Sequence, residues 1–164
     1  MASALANSCP VSLDVLAQRA HAHHQTILAA NVRLTTPPVS RLRLESITPT
    51  ASTAQRLTSA RLSFSFTIEP SDCNAWGTLH GGCVFTLCNA AGKIATAVVA
   101  DGARNIVSTD LPTNYLSGVP VASTISIEIE CLRTTKSIAF LRGSIRDANG
   151  ALCYICSQNV SYDL

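Results

Sequence analysis

Gly81-Gly82-Cys83-Val84-Phe85-Thr86-Leu87-Cys88-Asn89-Ala90-Ala91-Gly92-Lys93-Ile94-Ala95-Thr96-Ala97-Val98-Val99-Ala100 is a run of twenty residues with one charge, Lys93. Apolar residues fall on every side of it at helical spacing, so the run predicts a helix buried nearly all round. Its length would also span a bilayer. Against that, Asn89 and Lys93 lie near its middle, two glycines open it and Gly92 interrupts it, all costly or unneeded in a lipid-facing helix. The flanking segments also alternate like strands of a soluble sheet. A core helix follows.

Working outward, residues 40–47 and 61–69 alternate apolar and polar side chains, which predicts two half-buried strands. The Thr/Ser/Ala-rich segment 49–55 between them reads as a hairpin loop. After the helix, residues 105–111, 121–132, 137–147 and 151–162 are four further strands, the last two joined by Asp147-Ala148-Asn149-Gly150, a tight-turn composition. Near the N-terminus Ser12 can cap a helix with Leu13, Leu16, Ala17, Ala20, Ile27 and Leu28 at helical spacing, ended by Asn31 and the Pro37-Pro38 pair. The order is an α+β pattern in which one six-stranded antiparallel sheet wraps a single apolar helix.

A chain of 164 residues makes one domain. It is 47% hydrophobic but only 13% charged, about half the usual charged share, so part of the surface is expected to be covered by copies of itself, as a homodimer or homotetramer. The net charge of +2 is spread thinly, which argues against nucleic acid. Seven cysteines, an odd number, read as free buried thiols. Cys153 and Cys156 form a C-x-x-C, but on a strand residues three apart point to opposite faces. His21 and His24 share a helix face without further ligands, so no metal is expected. Four arginines and one acid, Asp14, precede residue 45; this leaves a mitochondrial leader as the alternative to a cytoplasmic default.

The chemistry concentrates in Asp72-Cys73-Asn74-Ala75-Trp76-Gly77-Thr78-Leu79-His80-Gly81-Gly82, a polar, glycine-rich loop running into the buried helix. Free N–H groups at a helix start, with no side chain to block approach, can stabilise a developing oxyanion. The structural alternative is a glycine turn needed only for close packing. The run N-A-x-G-T-L-H-G-G, with a polar position eight residues after Gly81, resembles the hotdog-fold acyl-CoA thioesterases of the phenylacetyl-CoA type. The similarity runs from Val39 to Ser161 and includes Val107-Ser108-Thr109-Asp110, Tyr115 to Ser117, and Lys136-Ser137-Ile138-Ala139-Phe140. It implies a hotdog domain over residues 39–164 behind a helical extension over 1–38.

The resemblance further implies roles. The Gly81 N–H would polarise the thioester carbonyl, His80 would shape the pocket, and Asn74 would position the attacking water or the thioester. Ser108 would reach in from the neighbouring subunit. Tyr115, Leu116 and Ser117, with Arg133, Lys136 and Ser137, would line the pantetheine and nucleotide tunnel. Independently of the resemblance, Arg133 and Lys136 offer cations for coenzyme A phosphates, or else form a solvated turn. No cofactor is implied; coenzyme A or phosphopantetheine enters as part of the substrate, with an acyl carrier protein as an alternative donor and no membrane partner. Where the family has a helix carboxylate, this chain has Asn89, and an amide neither takes a proton at neutral pH nor forms an anhydride. The expected activity is thioester hydrolysis, with His80 or Asp110 as substitute base. The alternatives are a non-hydrolytic enzyme on a polyketide-like thioester, and a catalytically weak binding protein. Strand parity predicts that Asp110 faces the same side as Ser108.

Overall fold

The computed structural model describes residues 11–30, 37–53 and 57–164, with side chains from 27 to 30 and at 37 left aside. Helix α1 spans Leu13–Ala30 and α2 spans Pro37–Arg41; strands β1 (Arg43–Ser52) and β2 (Leu57–Thr67) follow. A 3-10 turn, Pro70–Asp72, leads through the polar loop to α3, Gly81–Val99. Then come β3 (Arg104–Asp110), β4 (Thr113–Tyr115), β5 (Thr124–Thr134), β6 (Ile138–Arg146) and β7 (Leu152–Asp163).

All pairings are antiparallel, in the order β1-β2-β5-β6-β7-β3, with the short β4 beside β7. The sheet turns one face inward: Leu62, Phe64 and Phe66 of β2 and Ile125, Ile127 and Ile129 of β5 are buried, while their alternating neighbours are not. Period-two burial is what a sheet with one covered face demands. The covering element is α3. Although long and apolar enough to cross a bilayer, it has twelve of its nineteen residues buried inside the domain. This is the hotdog arrangement, an antiparallel sheet wrapped on one helix.

Several boundaries differ from the sequence expectation. The strand expected at 40–47 begins at Arg43, because Pro38 and Val39 are buried and belong to α2; proline at a first turn favours a helix start. The strand then runs through Pro49 to Ser52, where a loop was expected. β1 is a sheet edge, where proline is tolerated, and bulges flank this position. The sheet has seven strands rather than six, because Thr113–Tyr115 pairs with Cys156, Ile155 and Tyr154. Three residues carry too little periodicity to be read from sequence.

In α1, Ser12 Oγ accepts from the Val15 N–H at 3.3 Å, as a cap should. Leu16 and Ala20 are buried, but Leu13 and Ala17 face out, and the Ile27 and Leu28 side chains lie outside the described residues. His23 is turned toward α3, where burial first, then the Lys93 and His24 charges, lower its pKa to about 4. His24 bonds the Val39 carbonyl at 2.9 Å instead of pairing with exposed His21. No cluster that could hold a metal occurs among the described residues.

All six described cysteines are free, and five are buried; Cys9 lies outside the described residues. Burial pushes the Cys83 and Cys131 thiols up to about 12. Contrary to the strand-parity expectation, Cys153 and Cys156 are both buried, because the β6–β7 register shifts between Ile145 and Arg146 and resets the alternation. They still act separately. Cys153 donates to the Ala151 carbonyl, while Cys88 donates to the Cys156 sulfur, a bond that raises the Cys88 pKa and lowers that of Cys156.

Candidate functional site

The polar loop is tied down from within. Asn74 Oδ1 accepts from the backbone N–H groups of Trp76 (3.0 Å) and Thr78 (3.2 Å), and Asn74 Nδ2 donates to Thr78 Oγ1 at 2.9 Å. Asn74 therefore shapes the turn that Gly77, at φ 71°, completes. Farther along, the Leu79 N–H donates to the Val119 carbonyl at 2.8 Å. The segment around Tyr115–Pro120 is thereby held against the helix start.

At that start His80 is the N-cap: its Nδ1 accepts from the Gly82 N–H at 2.9 Å. A ring with its Nδ1 lone pair so engaged carries its proton on Nε2, which makes His80 a donor rather than a ready base. The Gly81 N–H is left with no acceptor among the described residues. Tyr115 leans over the same glycine, its hydroxyl donating to the Gly81 carbonyl at 3.1 Å. It also meets Tyr154 edge-on, with centroids 5.8 Å apart.

A second cluster lies farther along α3. Ser108 Oγ donates to Asn89 Oδ1 at 2.5 Å, and Gln158 Nε2 donates to Ser108 Oγ at 2.7 Å. Gln158 is buried, and its Nε2 also lies 3.4 Å from Asn89 Oδ1 and 3.5 Å from the Asn89 carbonyl. Ser108 and Asn89 thus meet within one chain. The parity argument for Asp110 fails, because a register shift between Ser108 and Asp110 sets Ser108 opposite buried Val160 and Asp110 opposite Asn159. Asp110 accepts from Asn159 Nδ2 at 2.9 Å, apart from the Asn89 cluster.

The two clusters are separated. Eight residues of helix put Gly81 and Asn89 about 12 Å apart along the axis. On β7, Tyr115 is paired with Tyr154, whereas Ile138 is paired with Ser161 and Ser137 accepts from the Tyr162 N–H. Seven residues of strand make that about 23 Å. So Tyr115, Leu116 and Ser117 gather with Asn74, His80 and Gly81 at one end, while Arg133, Lys136 and Ser137, all exposed, stand at the other.

Two residues of this region escaped the sequence reading. Gln158 is one, although it carried a signal: an uncharged amide on the apolar phase of its strand. The other is Arg41, whose guanidinium grips the buried Asp72 carboxylate through one nitrogen at 2.6 and 2.7 Å and stacks 4.7 Å over Phe66. Asp72 in turn accepts from the Glu69 N–H through its side chain and from the His80 N–H through its carbonyl. The end of α2 therefore anchors the loop that presents His80 and Gly81.

Residues 77–154 match the sequence profile of the Thioesterase superfamily. Comparison with curated protein sequences gives no match. Among solved structures, the chain is similar to the E. coli PaaI protein from the phenylacetic acid degradation operon (TM-score 0.69, 15% identity, covering 92% of this chain and 96% of that one). It is also similar to zebra fish thioesterase superfamily member 2 (0.66, 21%, 93% and 98%). A third is a hypothetical thioesterase from Streptococcus pneumoniae TIGR4 with coenzyme A (0.60, 20%, 75% and 86%). At such identities the likeness carries the fold. The chain is a hotdog protein that bears the Thioesterase superfamily sequence pattern over residues 77–154.

Proposed function

We propose that this protein hydrolyses an acyl thioester of coenzyme A or of a carrier protein to free acid and thiol, at a site shared between two subunits. The observation that carries this reading is the Gly81 N–H, without an acceptor among the described residues, at the start of a long buried helix, a donor of the kind that stabilises a thioester oxygen as it gathers negative charge. Coenzyme A-containing and thioesterase-named hotdog structures of similar fold support the substrate class.

The shared site follows from the separation of the two clusters. β3 ends the sheet, and its outer edge offers unpaired backbone groups to a second copy. Two β3 strands paired antiparallel about a two-fold axis bring opposite sheet ends together. The Gly81 cluster of one chain then faces the Asn89 cluster of the other, with Arg133 and Lys136 as cations for the coenzyme A phosphates.

A second reading rests on Asn89, whose carbonyl is already taken by Ser108 and which supplies no general base: a non-hydrolytic enzyme on a polyketide-like thioester. Thiol detection on a panel of acyl-CoAs decides. Free thiol released in proportion to enzyme supports hydrolysis; acyl-CoA binding without thiol release transfers the assignment to the second reading.

A further inference from the structure

The hydrogen bonds around Asn89 run in one direction. The end of the Gln158 amide turned toward this cluster is Nε2, 2.7 Å from Ser108 Oγ and 3.5 Å from the Asn89 backbone carbonyl, while Gln158 Oε1 is buried with no partner among the described residues. Gln158 Nε2 then donates to Ser108 Oγ, and the Ser108 hydroxyl has its hydrogen left for Asn89 Oδ1. Asn89 must present oxygen to Ser108, so its Nδ2 points away. That nitrogen has no acceptor among the described residues, and Asn89 is half-buried on the stripe of α3 that also holds exposed Phe85.

We propose that this relay sets Asn89 as a fixed hydrogen-bond donor, and that the preferred substrate is an acyl thioester with a second carbonyl oxygen on its acyl chain, as in a 3-oxoacyl thioester. This rests on the acyl-thioester reading above. There the thioester oxygen is served by the Gly81 N–H, so the Asn89 amide serves another acceptor. A saturated chain would leave Nδ2 facing methylene groups, and a desolvated donor without a partner is penalised about tenfold or more in affinity. A water held by Nδ2 would have its lone pair directed at the amide and so would gain no nucleophilicity. Gln158 is a positioning residue: it touches no substrate and aims Asn89 through Ser108.

Calorimetry with amide analogues of 3-oxobutyryl-CoA and butyryl-CoA, in which nitrogen replaces the thioester sulfur and turnover is blocked, tests this on the intact protein. Wild type is expected to bind the 3-oxo analogue at least about tenfold more tightly. Asn89→Asp should abolish that preference, since a carboxylate repels the 3-oxo oxygen. Gln158→Met should shrink the ratio between the analogues, whereas a merely structural loss would weaken both alike. Equal binding of the two analogues by wild type, which needs no variant to fold, overturns the proposal, as does a preference that survives Asn89→Asp. If neither analogue binds, whether carried on coenzyme A or on a phosphopantetheinylated carrier protein, the acyl-thioester reading itself falls.

Discussion

The Tyr115 hydroxyl donates to the Gly81 carbonyl at 3.1 Å, and the edge of the same ring lies 3.2 Å from where a Cβ on Gly81 would sit. One aromatic ring thus fixes the peptide whose N–H is the candidate oxyanion donor and leaves no slack for a side chain there.

Gly81→Val should displace Tyr115 and block the N–H while the buried body of α3 keeps the protein folded. Loss of one oxyanion donor costs about a hundredfold or more in rate. Thiol-release kinetics should show this fall with a circular dichroism spectrum like that of wild type; an unchanged turnover number would remove Gly81 from the chemistry.

Arg41→Met should destabilise the protein by about 3–5 kcal/mol, the usual result of stripping the partner from a buried charge, because Asp72 is left buried and charged. Urea titration measures it. The double variant Arg41→Met/Asp72→Asn should recover much of the loss, and additive losses would mean the pair is not coupled.

His23 has its pKa lowered by burial to about 4, against 6.5 for a free histidine. Between those values the unfolded chain takes up a proton that the folded chain refuses, so stability falls as pH drops from about 6.5 to about 4. Urea midpoints across this window should decline, and His23→Leu should flatten that part of the decline. A variant that tracks wild type through the window would show that other groups dominate.

Sedimentation should give a dimer or tetramer, and a shared site makes a sharper demand. Gly81→Val and Asn89→Ala chains, each impaired alone, should regain activity when refolded together, approaching about a quarter of wild type because half the dimers are mixed and each carries one intact site. No recovery, with wild type refolding well under the same conditions, would place each site within a single chain.

The helix-in-sheet plan was legible because burial writes periodicity into sequence: the all-round apolar run of α3 and the period-two alternation of β2, β5 and β6 each admit one placement. Pro49 misled, since a proline reads as a break unless the strand is known to be an edge, and edges are a property of the assembled sheet. The bulge between Ser108 and Asp110 misled in the same way, reversing a parity that residue spacing alone had suggested. Asn74, His80 and Gly81 were legible as one polar loop running into a helix start, and the fold keeps them together. Their distance from Asn89 and Ser108 was hidden, because it depends on which strand ends lie together.

Gly92 entered as a flaw in a helix, and it costs about 1 kcal/mol there relative to alanine. In the fold its missing side chain makes room: a Cβ at 92 would lie 1.7 Å from Gln158 Oε1. Positions 92 and 158 are therefore locked as a pair. Descendants of this sequence can lengthen the one only by shortening or moving the other, and any lineage that fills position 92 must displace the amide proposed to aim Asn89. A hydrogen atom in mid-helix becomes the inherited record of what the neighbouring strand is required to do.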